Sequence, residues 1–85
     1  MDDNTALVLE LVRLERLSQD IKWGEQNHLL PYWLTIILEE LGEAAKDILQ
    51  EKSSVSIVTE LVQTAASVVA MIECMIRSEK ERLNA

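Results

Sequence analysis

The chain has 85 residues and a mass of 9.7 kDa. That is enough for one domain spanning 1–85, but a chain this short buries only about 60% of its unfolded surface, so a lone core is marginal. Hydrophobic residues make up 48% but aromatics only 4%, with no Phe, two Gly and one Pro; this favours helices packed through Leu, Ile, Val, Ala and Met over a turn-rich β-fold. Eight Lys and Arg against fifteen Asp and Glu leave a net charge of −7. That sign argues against a nucleic-acid backbone or an anionic membrane surface as partner, because both call for a basic footprint.

The first predicted element is a helix from about Thr5 to Trp23, with Asp3 or Asn4 as N-cap. Leu7, Leu11, Leu14, Leu17 and Ile21 recur at helical spacing, with Glu10, Arg13, Arg16 and Gln19 on another side. Gly24 to His28 breaks the pattern, and Pro31 suits the first position of a second helix reaching about Gln50. Leu34, Ile37, Leu38, Leu41, Ala45 and Ile48 form its apolar face, opposite Glu39, Glu40, Glu43, Lys46, Asp47 and Gln50. The short link Glu51-Lys52-Ser53-Ser54 forces an antiparallel return, with Ser53 or Ser54 as N-cap.

The third helix runs from about Val55 to beyond Arg77 and is apolar almost all round from Leu61 to Ile76. Three helices can hardly surround such a rod, so the expected fold is all-α, an antiparallel hairpin plus an N-terminal helix, completed as a bundle by a homodimer or homotetramer. The charged tail from Arg77 to Ala85 is expected to fray. Cys74 reads as a small buried hydrophobe, and Met71 and Met75 as core or interface filler. The acidic start Asp2-Asp3-Asn4 lacks the basic region of a signal peptide, and no unbroken apolar run reaches about 18 residues. A cytoplasmic location follows as an expectation.

Glu60, Gln63, Thr64 and Ser67 lie at i, i+3, i+4 and i+7, a narrow polar stripe on a greasy helix. A carboxylate there needs water, a partner or a cation. Glu39, Glu40 and Glu43 crowd one side of the second helix as unfavourable neighbours. A hairpin could set Glu40 and Glu43 opposite Glu60 and Gln63, and hard oxygen donors of this kind suit Mg²⁺ or Mn²⁺ rather than zinc. Spacing alone leaves a second reading open, in which these acids are the solvated coat of a helical interaction protein.

The run Glu39-Glu40-Leu41-Gly42-Glu43, followed after a hairpin by Glu60-Leu61-Val62-Gln63, resembles the EExxE…ExxD signature of MazG-like proteins in the all-α nucleoside triphosphate pyrophosphatase superfamily. The segment Lys22-Trp23-Gly24-Glu25-Gln26-Asn27-His28 is similar to one common in small members of that family, as is Glu60 to Ala66. The similarity covers about Asp20 to Ile76.

This resemblance implies hydrolysis of a nucleoside triphosphate between its α and β phosphates, giving a monophosphate and pyrophosphate. It implies Mg²⁺ bound by Glu40, Glu43 and Glu60, with Gln63 in place of the usual Asp and Glu39 activating water or supporting the ligands. An acidic protein can then hold an anionic substrate because the metal ions lie between them. Gln63 brings an amide oxygen but no charge, which motivates an alternative, a nucleotide-binding sensor without turnover. Lys22, Trp23, Gln26 and His28 are the candidate substrate contacts, with Trp23 stacking on the base. Trp33 reads first as a core residue. Lys46 and Lys52 could reach phosphates, though pairing with Glu43 or Glu51 competes. Glu73 interrupts the apolar run, and an interchain partner is the expectation for it.

Overall fold

The computed structural model describes residues 2–85 and contains three helices, α1 (Asp3–Trp23), α2 (Leu30–Leu49) and α3 (Ser54–Asn84). Each boundary has a local cause. The Asp2 carboxylate accepts the Thr5 N–H at 2.8 Å, so the N-cap of α1 is Asp2 rather than Asp3 or Asn4. Helix α1 stops at Gly24, whose φ of 69° and ψ of −166° suit only a residue without Cβ. Pro31 occupies the first turn of α2, where its missing N–H is no loss.

At the other end of α2 the Glu51 N–H donates to the Ile48 carbonyl at 3.1 Å and the Lys52 N–H to Asp47 at 2.9 Å. This Schellman closure puts Glu51 at φ 53°, left-handed without being glycine. Ser53 then caps α3 by accepting the Ser56 N–H at 3.2 Å, and the Ser56 hydroxyl donates to Asp47 at 2.7 Å across the turn.

Helix α3 is the spine: α1 and α2 each pack on it, and their backbones do not pack on each other. The core joins Trp33, 2% exposed, to Ala70 and Cys74, with Ile36 and Met71 against them. Ala44 and Ala66 are also buried, small residues that let the helices approach closely. Helix α1 docks through a polar seam. Arg16 Nε donates to Glu73 at 2.6 Å while its Nη1 lies 2.7 Å from Asp20, and the residue buried on α1 is Gln19. Glu73 therefore finds its partner within the chain, not across an interface. The leucine face of α1, from Leu7 to Ile21, stays exposed, because the Arg16 to Glu73 pairing fixes which side of the helix meets α3.

The expected fraying of 77–85 is also corrected. Helix α3 continues to Asn84, Arg82 pairs with Glu79 at 2.6 Å, and Arg77 binds the connection between α1 and α2.

The protomer is open for its size. Its accessible surface is 6363 Å², whereas a compact monomer of this mass exposes about 5,100 Å². Its radius of gyration is 14.6 Å, against about 12 Å for a globular chain of this length. Exposed large apolar side chains occur on all three helices, and on the outer side of α3 Val58, Leu61, Val68, Val69, Ile72 and Ile76 form one continuous stripe of them. By length and composition alone α3 is apolar enough to cross a membrane, and most of its apolar stretch is unburied in the protomer.

Candidate functional site

Because α1 and α2 flank α3 without closing on each other, they leave a groove of about 260 Å³ between them. Helix α1 contributes Glu15, Gln19, Lys22 and Trp23, and the connection after it adds Gln26. Trp33, Ile36 and Glu40 face the groove from α2, and Gln63, Ser67 and Ala70 from α3.

Glu40 is the central charge. Its carboxylate is half-buried and accepts the Ser67 hydroxyl at 2.6 Å, and Ser67 in turn accepts Gln19 Nε2 at 3.4 Å. Burial pushes the Glu40 carboxyl above the usual range; the Ser67 hydrogen bond opposes this, and the charges of Glu60 and then Glu15 push it further up. A cation arriving here would relieve both the desolvation and the like-charge repulsion.

The structure sorts the predicted residues into two groups. Lys22, Trp23, Gln26, Glu40 and Gln63 share the groove, although they come from three separate stretches of sequence. Glu60 is half-buried and near enough to Glu40 to act on its charge. Thr64 is buried but donates to the Glu60 carbonyl at 2.8 Å, so its hydroxyl serves its own helix. Glu39 and Glu43 are exposed on α2, and neither lines the groove.

His28 faces elsewhere. Its ring lies 4.6 Å from Tyr32 and 4.8 Å from Trp33, beside a second hollow of about 350 Å³ that Cys74 and Arg82 help to line. His28 Nε2 and Trp33 Nε1 are both buried without a hydrogen-bond partner. Trp23 is 59% exposed, with Lys22 Nζ lying 5.4 Å from its ring centroid. A flat aromatic face and a cation thus stand at the mouth of an acidic groove.

Among the described residues no three His, Cys, Asp or Glu side chains converge as a ready-made metal cage. Mg²⁺ does not need one: it commonly keeps several waters and takes one or two carboxylates together with phosphate oxygens. Glu40 and the Gln63 amide oxygen line the groove as a hard-oxygen pair of that incomplete kind, while Glu60 lies outside the lining and acts on Glu40 by its charge.

Three polar groove residues are not among the site residues expected from sequence: Glu15, Gln19 and Ser67. The first two had a signal, since Glu15, Gln19, Lys22 and Gln26 recur at alternating steps of four and three along α1 and just beyond it. Ser67 belonged to the polar stripe on α3, but only the packing of α2 reveals its partner. No protein-family model, curated protein or solved structure matches the chain.

Proposed function

We propose that this chain is a Mg²⁺-dependent nucleoside triphosphate pyrophosphohydrolase acting as a homo-oligomer. The observation that carries the reading is the convergence in one groove of Lys22, Trp23 and Gln26 with Glu40 and Gln63. One side offers an aromatic face and an amide for a base, and the other offers oxygen donors for a metal-bound phosphate chain.

In this reading Trp23 stacks on the base, Gln26 hydrogen-bonds to its edge, and Lys22 lies close enough to offset phosphate charge. Glu40, Glu60 and Gln63 would hold Mg²⁺, with Glu43 drawn in from the exposed face of α2. When bound, the ion neutralises the triphosphate and makes the α-phosphorus a better electrophile. A water oxygen bonds to that phosphorus as its bond to the bridging oxygen breaks, pyrophosphate leaves, and the water's proton passes to a carboxylate. Glu39 is the acceptor implied by the resemblance, and Glu15, which already lines the groove, is the other carboxylate in place for it.

Self-association has separate support. The surface excess of about 1,200 Å² over a compact monomer is comparable to what one partner loses in a permanent interface. Two copies carrying −7 each repel, so contact belongs on the uncharged stripe from Val58 to Ile76. A second copy is the cover we assign to that stripe.

A sensor that binds nucleotide without turnover is favoured by one observation, the neutral Gln63 in the groove. A panel of common and modified triphosphates, assayed with Mg²⁺ and with Mn²⁺ for monophosphate and pyrophosphate, separates the readings. Turnover of at least one member supports the enzyme. Saturable binding by calorimetry without any product makes the chain a sensor, and neither result leaves the interaction-protein reading.

A further inference from the structure

The serine at position 67 is out of keeping with its surroundings. It is 6% exposed on a helix face shared with Ala66, Ala70 and Cys74, where alanine would be the better helix former. Helical hydroxyls usually bond back to the carbonyl one turn earlier, and three threonines here do so: Thr35 to Pro31, Thr59 to Val55 and Thr64 to Glu60, at 2.7 to 2.9 Å. Ser67 instead reaches across to α2 and donates to Glu40 Oε1 at 2.6 Å. Behind it Gln19 of α1 donates into the same oxygen at 3.4 Å. That arrangement leaves the hydroxyl proton for Glu40, engages one carboxylate oxygen and leaves the other without a competing protein donor.

We infer that Ser67, backed by Gln19, is a positioning residue that holds the Glu40 carboxylate in the one orientation from which its second oxygen meets a divalent cation in the groove. The inference deepens the proposed function and rests on Glu40 being a cation ligand. It ties all three helices to a single oxygen atom, so the docking of α1 sets the geometry of a site built mainly on α2 and α3. Groups that orient a metal ligand from behind are typically worth 10–100-fold in affinity or activity.

The test uses the full chain with Mn²⁺ alone, followed by the paramagnetic resonance signal of the free ion, together with kcat and KM for any triphosphate that the panel shows to be turned over. Ser67→Ala should fold normally, because alanine suits the helix, and should weaken Mn²⁺ binding about 10–100-fold. Ser67→Thr, which keeps the hydroxyl, should restore most of the affinity, and Gln19→Leu should show a smaller loss than Ser67→Ala. If turnover is found, Ser67→Ala should lower kcat more than it raises KM. An Mn²⁺ affinity for Ser67→Ala within twofold of the unaltered protein, or no measurable Mn²⁺ binding by the unaltered protein, overturns the inference. Weakened Mn²⁺ binding with no triphosphate hydrolysed would overturn the enzymatic reading and leave the positioning role standing.

Discussion

Arg77 of α3 donates to the Gln26 carbonyl at 3.0 Å, and the same guanidinium binds Asn27 Oδ1 at 3.1 Å. The far part of the longest helix thus holds the connection that presents Gln26 to the groove, and Glu25 lies 3.4 Å from the same side chain. The planar fork of donors matters here, and lysine cannot reproduce it. Arg77→Ala is expected to cost about 1.5–3 kcal/mol of stability, the range for hydrogen bonds to a charged group. If the chain is the enzyme proposed above, KM should rise with little change in kcat, because the change loosens the segment that carries Gln26 and not the Glu40 end of the groove. Urea unfolding and steady-state assays of Arg77→Ala and Arg77→Lys check both points; an unchanged KM in both variants contradicts this role.

The two turns make opposite predictions. Gly24→Ala forces a Cβ into a backbone region that is essentially glycine-only, with nothing within 4 Å to blame on packing, so the loss of about 1–3 kcal/mol is conformational. Glu51→Gly relaxes a left-handed residue that closes α2 and should add about 0.5–1 kcal/mol. Urea midpoints shifting in opposite directions are the expected result. A stabilised Gly24→Ala would contradict the geometry of the α1 terminus.

The outer stripe of α3 predicts assembly. Ile72 is 50% exposed in the protomer, so a lysine there is tolerated by an isolated chain. In a dimer packed through this stripe it becomes a charge buried without a partner in an apolar interface. Sedimentation should show the unaltered protein as a dimer or larger and Ile72→Lys as a folded monomer. A monomeric unaltered protein at micromolar concentration would remove the assembly from the account.

Acid should loosen the start of α1. The Thr5 N–H holds the Asp2 carboxyl below the usual carboxylate range. A group depressed in the folded state contributes stability above its unfolded pKa and loses it as pH falls through its folded value. The Thr5 amide should therefore titrate in NMR spectra with a midpoint below that of an ordinary Asp, and its exchange protection should fall at that pH. Asp2→Asn keeps a capping oxygen and should abolish the titration. An amide shift that ignores pH, or follows an ordinary Asp, would argue against this cap.

Much of the fold was legible because it is local. The leucine spacings, Pro31, Gly24 and Ser53 place the starts of all three helices and the ends of α1 and α2 to within a residue or two, whereas α3 runs on to Asn84 through the tail expected to fray. The N-cap of α1 was not, since Asp2, Asp3 and Asn4 are all capping residues and only geometry decides which oxygen reaches Thr5. The docked face of α1 was illegible for a different reason. Its leucines mark a surface that wants cover, but Arg16 and Glu73, 57 residues apart, determine what α3 receives. At the site, Glu40 stands out from Glu39 and Glu43 by phase. It follows Trp33 by seven and Ile36 by four, so the core residues of α2 turn it inward. Hydropathy alone sets Glu40 on the polar side, opposite Leu34, Ile37, Leu38, Leu41, Ala45 and Ile48, but all of these except Ile37 are exposed. The side of α2 that packs carries Trp33 and Ala44 instead, and the pairing with Ser67 depends on how α2 sits on α3.

The most direct measurement is Mg²⁺-dependent pyrophosphate release by the unaltered protein beside Glu40→Gln and Glu60→Gln, across the triphosphate panel. The account predicts pyrophosphate and monophosphate in equal amounts from at least one substrate, no product without a divalent cation, and at least 100-fold less from either variant, the order expected when a carboxylate acting through the metal in the transition state is lost. Release that persists undiminished in Glu40→Gln, or a panel with no product under either Mg²⁺ or Mn²⁺, would contradict it.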